Sequence, residues 1–171
     1  MQEFDPAVLK SLYKPPRDSH KGQNGKLLII GGSKLFHAAS LWALTVASRI
    51  VDMVFYSSVP ENNEIVLALK KEFRNGIVVA RNRLDSYINE ADCVLIGPGL
   101  PREEGQERGD DDTKELTERL LRSYPDKKWV IDGGSLQVLT PELLSSLRKT
   151  PVLTPHKKEL EMLKFKIQNS K

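Results

Sequence analysis

The nine residues KLLIIGGSK, Lys26 to Lys34, contain the signal that decides the fold. Four branched apolar residues stand in a row after Lys26, and a glycine-rich turn, Gly31 to Ser33, follows at once. A run that is apolar at successive positions is typical of a strand covered on both faces, as in a parallel sheet. This stretch therefore predicts a buried parallel strand that ends in a special turn.

Similar apolar runs recur along the chain, and segments of helical length separate most of them. The further runs are Met53–Tyr56, Gly76–Val79, Cys93–Ile96, Trp129–Ile131 and Pro151–Leu153, and the helical segments include Ala38–Val51, Asn62–Phe73 and Thr113–Arg122. Such alternation predicts an α/β fold of three layers, a mainly parallel sheet with helices on both faces. At 171 residues, the chain, residues 1–171, is predicted to form a single domain.

Two of the helical segments differ in character. AASLWALTVASRIV, from Ala38 to Val51, is apolar nearly all round, with Trp42 and Val46 beside the inner stripe, and is predicted to be deeply packed. The acidic run Asp110–Asp112 precedes a second, amphipathic helix, where carboxylates cap free amides and complement the helix dipole. A metal site is the alternative interpretation of that run.

The composition excludes several functional classes. The net charge of +3, from 26 basic and 23 acidic residues, is too balanced to indicate a nucleic-acid partner. A single cysteine, Cys93, excludes a disulfide within the chain. The sequence contains no run of about 18 apolar residues, which a membrane span needs. We therefore expect a cytoplasmic protein without a membrane partner.

Four special turns each follow a predicted strand. They contain Gly31 and Gly32, then Gly97 and Gly99, then Asp132, and finally His156. The carboxyl ends of parallel strands face the ligand crevice of an open sheet, so these turns are predicted to form one binding site. Glycine there allows close backbone approach and leaves amides free for anions.

Each turn also has a purely structural interpretation. Gly31 and Gly32 form either a ligand contact or a tight turn, since neither a phosphate loop nor a dinucleotide fingerprint is complete. Gly97 to Gly99 can equally form a turn that only ends the strand. Asp132 and His156 each stand at a helix start, where capping is an alternative role. The scattered histidines and the lone cysteine predict no metal site.

In combination, the motifs resemble one family. HKGQNGKLLIIGGS (20–33), ADCVLIGPGL (91–100), VIDGGSL (130–136) and VLTPHKKELEML (152–163) resemble, in order and spacing, the NAD(P)H-hydrate dehydratase family of the ribokinase-like superfamily. The resemblance implies an enzyme that dehydrates hydrated NADH or NADPH. The implied cofactor is ADP or ATP, with or without Mg²⁺. Ala39, Gly99 and His156 match family positions that contact this nicotinamide nucleotide, whereas no catalytic residue is identified.

The sequence also departs from the family pattern. It lacks the later lysine-glycine strand and the glycine-threonine-glycine-aspartate turn, and Gly134 replaces a usual second aspartate. No lysine or arginine clamp is predicted near the motifs. These departures predict a domain that is truncated at its C-terminus, so that the half that binds the adenine nucleotide is either missing or supplied by a partner. The predicted partner is a second copy in a homo-oligomer or a complementing chain. Two alternatives stay open: a non-catalytic nucleotide-binding or assembly protein, and a ribokinase-like kinase of small molecules.

Overall fold

A computed structural model describes residues 5–72, 75–102 and 105–168. Its centre is a sheet of six strands in the order β3-β2-β1-β4-β5-β6, and every neighbouring pair is parallel. The elements are β1 (Lys26–Ile30), α1 (Ala38–Ala47), β2 (Met53–Ser57), α2 (Pro60–Leu69), β3 (Ile77–Val78), α3 (Leu84–Glu90), β4 (Cys93–Ile96), α4 (Thr113–Ser123), β5 (Lys128–Ile131), α5 (Gly133–Val138), α6 (Pro141–Ser145), β6 (Val152–Leu153) and α7 (Lys157–Gln168). The predicted parallel sheet is confirmed, and all six predicted runs contain a strand.

Helices cover both faces of this sheet. On one face, side chains such as Leu28 and Ile96 pack against Ile88 of α3 and Leu120 of α4. On the other face, Ile29 and Tyr56 pack against Leu44 of α1 and Val66 of α2. Adjacent residues of one strand therefore enter different cores, which is why the strands read as continuous apolar runs.

Helix α1 differs from its prediction. Its inner stripe does pack on the sheet, with Leu44 buried and Leu41 and Ala47 partly buried. However, Trp42 is 72% exposed and Val46 is 58% exposed, so deep packing of the whole helix was a wrong prediction. The reason is that no described layer covers the outer side of α1. Composition predicts apolar character, but only the arrangement of neighbouring elements determines which faces are buried.

The acidic run before α4 serves structural roles. Asp112 is the N-cap of α4, and its carboxylate accepts a hydrogen bond from the Glu115 amide at 2.9 Å, as predicted. Asp110 accepts from the Lys34 amide at 2.8 Å, and Asp111 pairs with Arg81 at 2.8 Å. The three carboxylates therefore hold separate partners.

The turn between α1 and β2 anchors the segment before β1 through Asp52. One carboxylate oxygen accepts hydrogen bonds from the amides of Gly22 and Asn24 and from the Asn24 side chain, each at 3.0 Å. The hydrogen bond from the Asn24 backbone is the main cause that lowers the pKa of Asp52 below its ordinary value of 3.8. These bonds favour the charged carboxylate in the folded state.

This lowered pKa makes stability depend on pH. Since the folded-state pKa lies below the unfolded one, the contribution of Asp52 is complete above about pH 4 and is lost as pH falls through the folded value. We expect the stability difference between wild type and Asp52→Asn to shrink steadily below pH 4 in urea titrations. Asp18→Asn, at an exposed aspartate, provides the control for the loss of one surface carboxylate. A constant difference for Asp52→Asn would contradict the argument.

In the part of the chain that the structure describes, every helix is too short or too polar to cross a membrane.

Candidate functional site

The four predicted turns lie along the carboxyl edge of the sheet. Hydrogen bonds continue the strand register into three of them: the Gly97 amide donates to the Ile30 carbonyl at 3.0 Å and the Asp132 amide to the Ile96 carbonyl at 2.9 Å. The Thr154 amide donates to the Ile131 carbonyl at 3.2 Å, two residues before His156. The turns after β1, β4, β5 and β6 thus follow one another along a single edge.

Three of the predicted site glycines are buried inside this edge. The Gly31 amide donates to Ser57, the Gly32 amide to Pro98 and the Gly97 amide to Ile30, at 2.8 to 3.1 Å. The prediction that these glycines leave amides free for an anion is therefore wrong. Their amides already satisfy backbone carbonyls, as buried backbone groups generally must.

Close packing between turns explains why glycine stands at these positions. Gly97 has φ +112°, and a Cβ there would overlap the carbonyl oxygen of Asp132. Gly99 has φ +74°, and its Cβ would come within 2.7 Å of the Phe36 carbonyl oxygen. Only glycine tolerates both the backbone conformation and the contact. Gly97 therefore allows the turns after β4 and β5 to pack against each other, whereas Gly99 lies at the surface of a cavity.

A cavity of about 630 Å³ opens beside Gly99, and we name it the aromatic cavity. Its lining includes Phe36, Ala39, Trp42, Gly99 and Arg102. Phe36 is 51% and Trp42 is 72% exposed, so both rings are accessible. Largely apolar walls with a few polar groups are typical of sites that bind flat organic ligands.

A second cavity, of about 750 Å³, contains His156, and we name it the histidine cavity. Its lining includes Arg102, Gln137, His156, Lys158 and Met162. Arg102 lines both cavities, which therefore meet at its side chain. Of the predicted site residues, Ala39 and Gly99 line the first cavity and His156 lines the second, whereas the lining of neither includes Gly31, Gly32, Gly97 or Asp132.

His156 also has a structural role at the start of α7. Its Nδ1 accepts hydrogen bonds from the amides of Lys158 at 3.1 Å and Glu159 at 3.4 Å. In return, the buried carboxylate of Glu159 accepts from the His156 amide at 3.0 Å. This reciprocal arrangement is that of a capping box. Its other ring nitrogen, Nε2, lies 3.4 Å from the second Glu159 carboxylate oxygen.

Asp132 connects two strand ends. Its carboxylate accepts a hydrogen bond from the Thr154 hydroxyl at 2.6 Å, and it makes no side-chain cap bond to α5, the helix that it precedes. The capping alternative that the sequence left open is thus replaced by a bond between neighbouring turns. This bond orients the Thr154-Pro155-His156 segment.

The sequence analysis predicted no lysine or arginine clamp near the motifs, and this prediction was wrong. Three basic side chains lie at this edge of the sheet. Arg81 follows β3, pairs with Asp111 and donates to the Gly31 carbonyl at 3.3 Å. Lys34 follows the β1 turn and donates from Nζ to the Arg108 carbonyl at 2.7 Å. Arg102 follows the Gly97–Gly99 turn. All three lie beyond a strand end, so the strand-end rule that selected the glycines was a signal for them as well.

The described residues contain no cluster of three or more histidine, cysteine, aspartate or glutamate side chains arranged to hold a metal ion.

Comparison with known proteins gives consistent matches. The sequence profile of the NAD(P)H-hydrate dehydratase family matches residues 27–171. A bifunctional NAD(P)H-hydrate repair enzyme of Methanocaldococcus jannaschii is 33% identical over an aligned length of 169 residues, and the match covers 94% of this chain and 32% of that protein. An ADP-dependent (S)-NAD(P)H-hydrate dehydratase of Lactiplantibacillus plantarum is 29% identical over 162 residues, 91% of this chain and 54% of that protein. This chain thus spans from a third to about half of these relatives.

Solved structures share the fold. A hypothetical protein from Streptococcus mutans superposes with a TM-score of 0.72 at 28% identity, covering 95% of this chain and 57% of that one. A ribokinase-like superfamily protein from Enterococcus faecalis superposes with a TM-score of 0.75 at 20% identity, covering 98% of this chain and 58% of that one. The predicted ribokinase-like, three-layer α/β fold is therefore confirmed.

Proposed function

The chain belongs to the NAD(P)H-hydrate dehydratase family, and from that premise we propose that it forms the substrate side of a site that dehydrates hydrated NADH or NADPH. The observation that carries the proposal is the pair of cavities that meet at the carboxyl edge of the sheet. Ala39, Gly99 and His156, the three positions that resemble the family's substrate contacts, line these cavities. The ADP-dependent dehydratase of L. plantarum is similar along most of this chain.

In this proposal the two cavities divide the substrate between them. The exposed rings of Phe36 and Trp42 provide an apolar wall for the nicotinamide ring, while the small side chain of Ala39 leaves room for it. His156 lines the histidine cavity, and the hydrogen bonds at Nδ1 fix the orientation of its ring. Gly99 has no side chain, so its backbone lines the aromatic cavity directly.

ADP or ATP supplies the driving force of the implied reaction, because a phosphorylated hydroxyl leaves as phosphate far more readily than hydroxide. The described residues do not fit such a nucleotide and its Mg²⁺ well. The amides of Gly31, Gly32 and Gly97 are occupied, and the described part of the chain provides no carboxylate cluster for a metal. We therefore assign no residue to the nucleotide and propose that its binding groups lie outside the described residues.

Turnover is the direct test of this function. The 171-residue chain is incubated with hydrated NADH and ADP or ATP, and the return of the absorbance of the reduced ring is followed. Recovery that depends on both protein and nucleotide supports a dehydratase. Binding of NADPH without recovery supports the non-catalytic nucleotide-binding protein, which the occupied glycine amides favour. Phosphorylation of a free hydroxylated vitamin precursor would instead indicate the kinase.

Substitution of His156 separates its two roles. His156→Ala removes the cap of α7 and is expected to cost about 1 kcal/mol of stability, whereas His156→Asn retains a capping side chain. Both variants are expected to bind NADPH about 3-fold to 10-fold more weakly, since a hydrogen bond to the ligand is lost. Denaturant titration measures the first effect and calorimetric titration with NADPH the second. Wild-type affinity in His156→Asn would reduce His156 to a helix cap.

Association with a second copy or with a complementing chain stays a prediction of the sequence. The exposed apolar residues Val46 and Ile50, at and just after α1, agree with it. Sedimentation equilibrium of the purified chain decides the matter. The cytoplasmic location likewise stays a prediction.

A further inference from the structure

Arg102 occupies the junction of the cavities at the carboxyl edge. It lines the aromatic cavity, the histidine cavity and a third cavity of about 350 Å³ that Thr113 and Gln137 also line. Among the residues that the structure describes, Arg102 alone lines all three of these cavities. A ligand that extends through both cavities from Trp42 to His156 would therefore contact the Arg102 side chain.

One edge of the guanidinium group is held by the protein. With the Gln137 amide oriented so that its oxygen faces Arg102, that oxygen accepts hydrogen bonds from Nε at 2.7 Å and from Nη2 at 3.2 Å. Gln137 belongs to α5, which packs against α4 and α7. The side chain of Arg102 is thus oriented by a neutral partner on a packed element.

The charge of Arg102 has no counter-ion among the residues that the structure describes. By contrast, Arg81 pairs with Asp111 at 2.8 Å and Lys34 with Glu61 at 3.4 Å. Within the same described residues, no acceptor meets Nη1 of Arg102. The edge formed by Nη1 and Nη2 therefore keeps two donors for a ligand, a geometry that matches two oxygens of one phosphate.

We infer that Arg102 binds a phosphate group of the nicotinamide nucleotide where the ligand crosses from the aromatic cavity to the histidine cavity. This inference rests on the proposed function for the identity of the nucleotide. The nicotinamide ring lies on one side of the phosphate, and the aromatic cavity lies on one side of Arg102. Lys158 also lines the histidine cavity, together with the acidic residues Glu159 and Glu161, so the phosphate contact is assigned to Arg102 alone. Arg102 is thus a substrate-binding residue that the glycine and histidine motifs do not include.

The test depends on nicotinamide mononucleotide and nicotinamide riboside, which differ only by the phosphate. Calorimetric titrations of the 171-residue chain use NADPH, nicotinamide mononucleotide, nicotinamide riboside and inorganic pyrophosphate. Arg102→Gln removes the charge, and Arg102→Lys retains the charge but not the paired donors. Arg49→Gln, at an exposed arginine outside the three cavities, is the matched control for net charge. Thermal unfolding checks that each variant is folded.

We expect Arg102→Gln to weaken NADPH and the mononucleotide by about 10-fold to 100-fold, as for a charge-assisted hydrogen bond, and to leave the riboside unchanged. Arg102→Lys is expected to recover part of the loss, and Arg49→Gln to resemble wild type. Equal weakening of the riboside, or no weakening of the mononucleotide, would overturn the inference. If the wild type binds pyrophosphate through Arg102 but no nicotinamide nucleotide, the proposed function fails and the phosphate site stands. If the wild type binds none of the four, both fail.

Discussion

Replacing Gly97 by alanine is expected to lower the free energy of unfolding by about 2 to 5 kcal/mol. The residue has φ +112°, a conformation that costs an L-residue about 1 to 2 kcal/mol. In addition, the new methyl group would overlap the carbonyl oxygen of Asp132, and forcing extra atoms into a packed site costs about 1 to 3 kcal/mol. Asp132 directly follows β5, and its backbone is hydrogen-bonded to the end of β4 through the Ile96 carbonyl, so its carbonyl oxygen cannot move away easily.

Gly105→Ala is the matched control for this substitution. Gly105 has no positive φ, and the nearest atom to its added Cβ is Phe36 Cε2 at 4.0 Å, an ordinary contact. We expect its stability to stay within about 0.5 kcal/mol of wild type. Urea unfolding followed by circular dichroism measures both variants. A Gly97→Ala protein as stable as Gly105→Ala would show that the turns after β4 and β5 are not as closely packed as described.

Replacing Ala39 by tryptophan is expected to weaken NADPH binding by about 10-fold to 100-fold while the fold is retained. Ala39 lies in the first turn of α1, is exposed, and lines the aromatic cavity. A large ring there occupies the volume that the proposed ligand needs, so binding must displace it or fail. Because the position is exposed, the added atoms meet little protein, and stability is expected to change by less than about 0.5 kcal/mol.

The control places the same side chain on the same helix but away from the cavity. Thr45 is exposed on α1 and does not line the aromatic cavity. Thr45→Trp is therefore expected to bind NADPH with wild-type affinity in calorimetric titration. Equal binding by Ala39→Trp and Thr45→Trp would remove the aromatic cavity from the proposed site, whatever the role of His156.

The turns illustrate how far sequence reasoning reaches a site. Gly31, Gly97, Asp132 and His156 were selected because each follows a strand, and they do lie on one edge of the sheet. The position after a strand did not predict the role of each residue. Gly31 and Gly97 are buried with satisfied amides, because neighbouring turns approach one another too closely for a ligand to enter between them. That approach depends on residues far apart in the chain.

Arg102 and Trp42 are residues of the candidate site that the sequence analysis did not identify. Both carry chemistry that a binding site needs, yet local pattern assigned Trp42 to the packed interior and overlooked Arg102. Trp42 is exposed because the outer side of α1 has no described neighbour, and Arg102 is oriented by Gln137, which lies 35 positions later. Exposure and orientation are set by contacts between elements, which a local periodicity does not contain.

By itself, the sequence determined the parallel sheet, the edge on which its special turns gather, and the family resemblance, because continuous apolar runs and glycine turns are local consequences of backbone geometry and burial. Only the tertiary structure decided which turn residues are buried, which rings and charges face a cavity, and that two cavities meet at Arg102. The physical reason is that a cavity is the space left between elements. Its position therefore depends on how all of them pack, and no single segment encodes it.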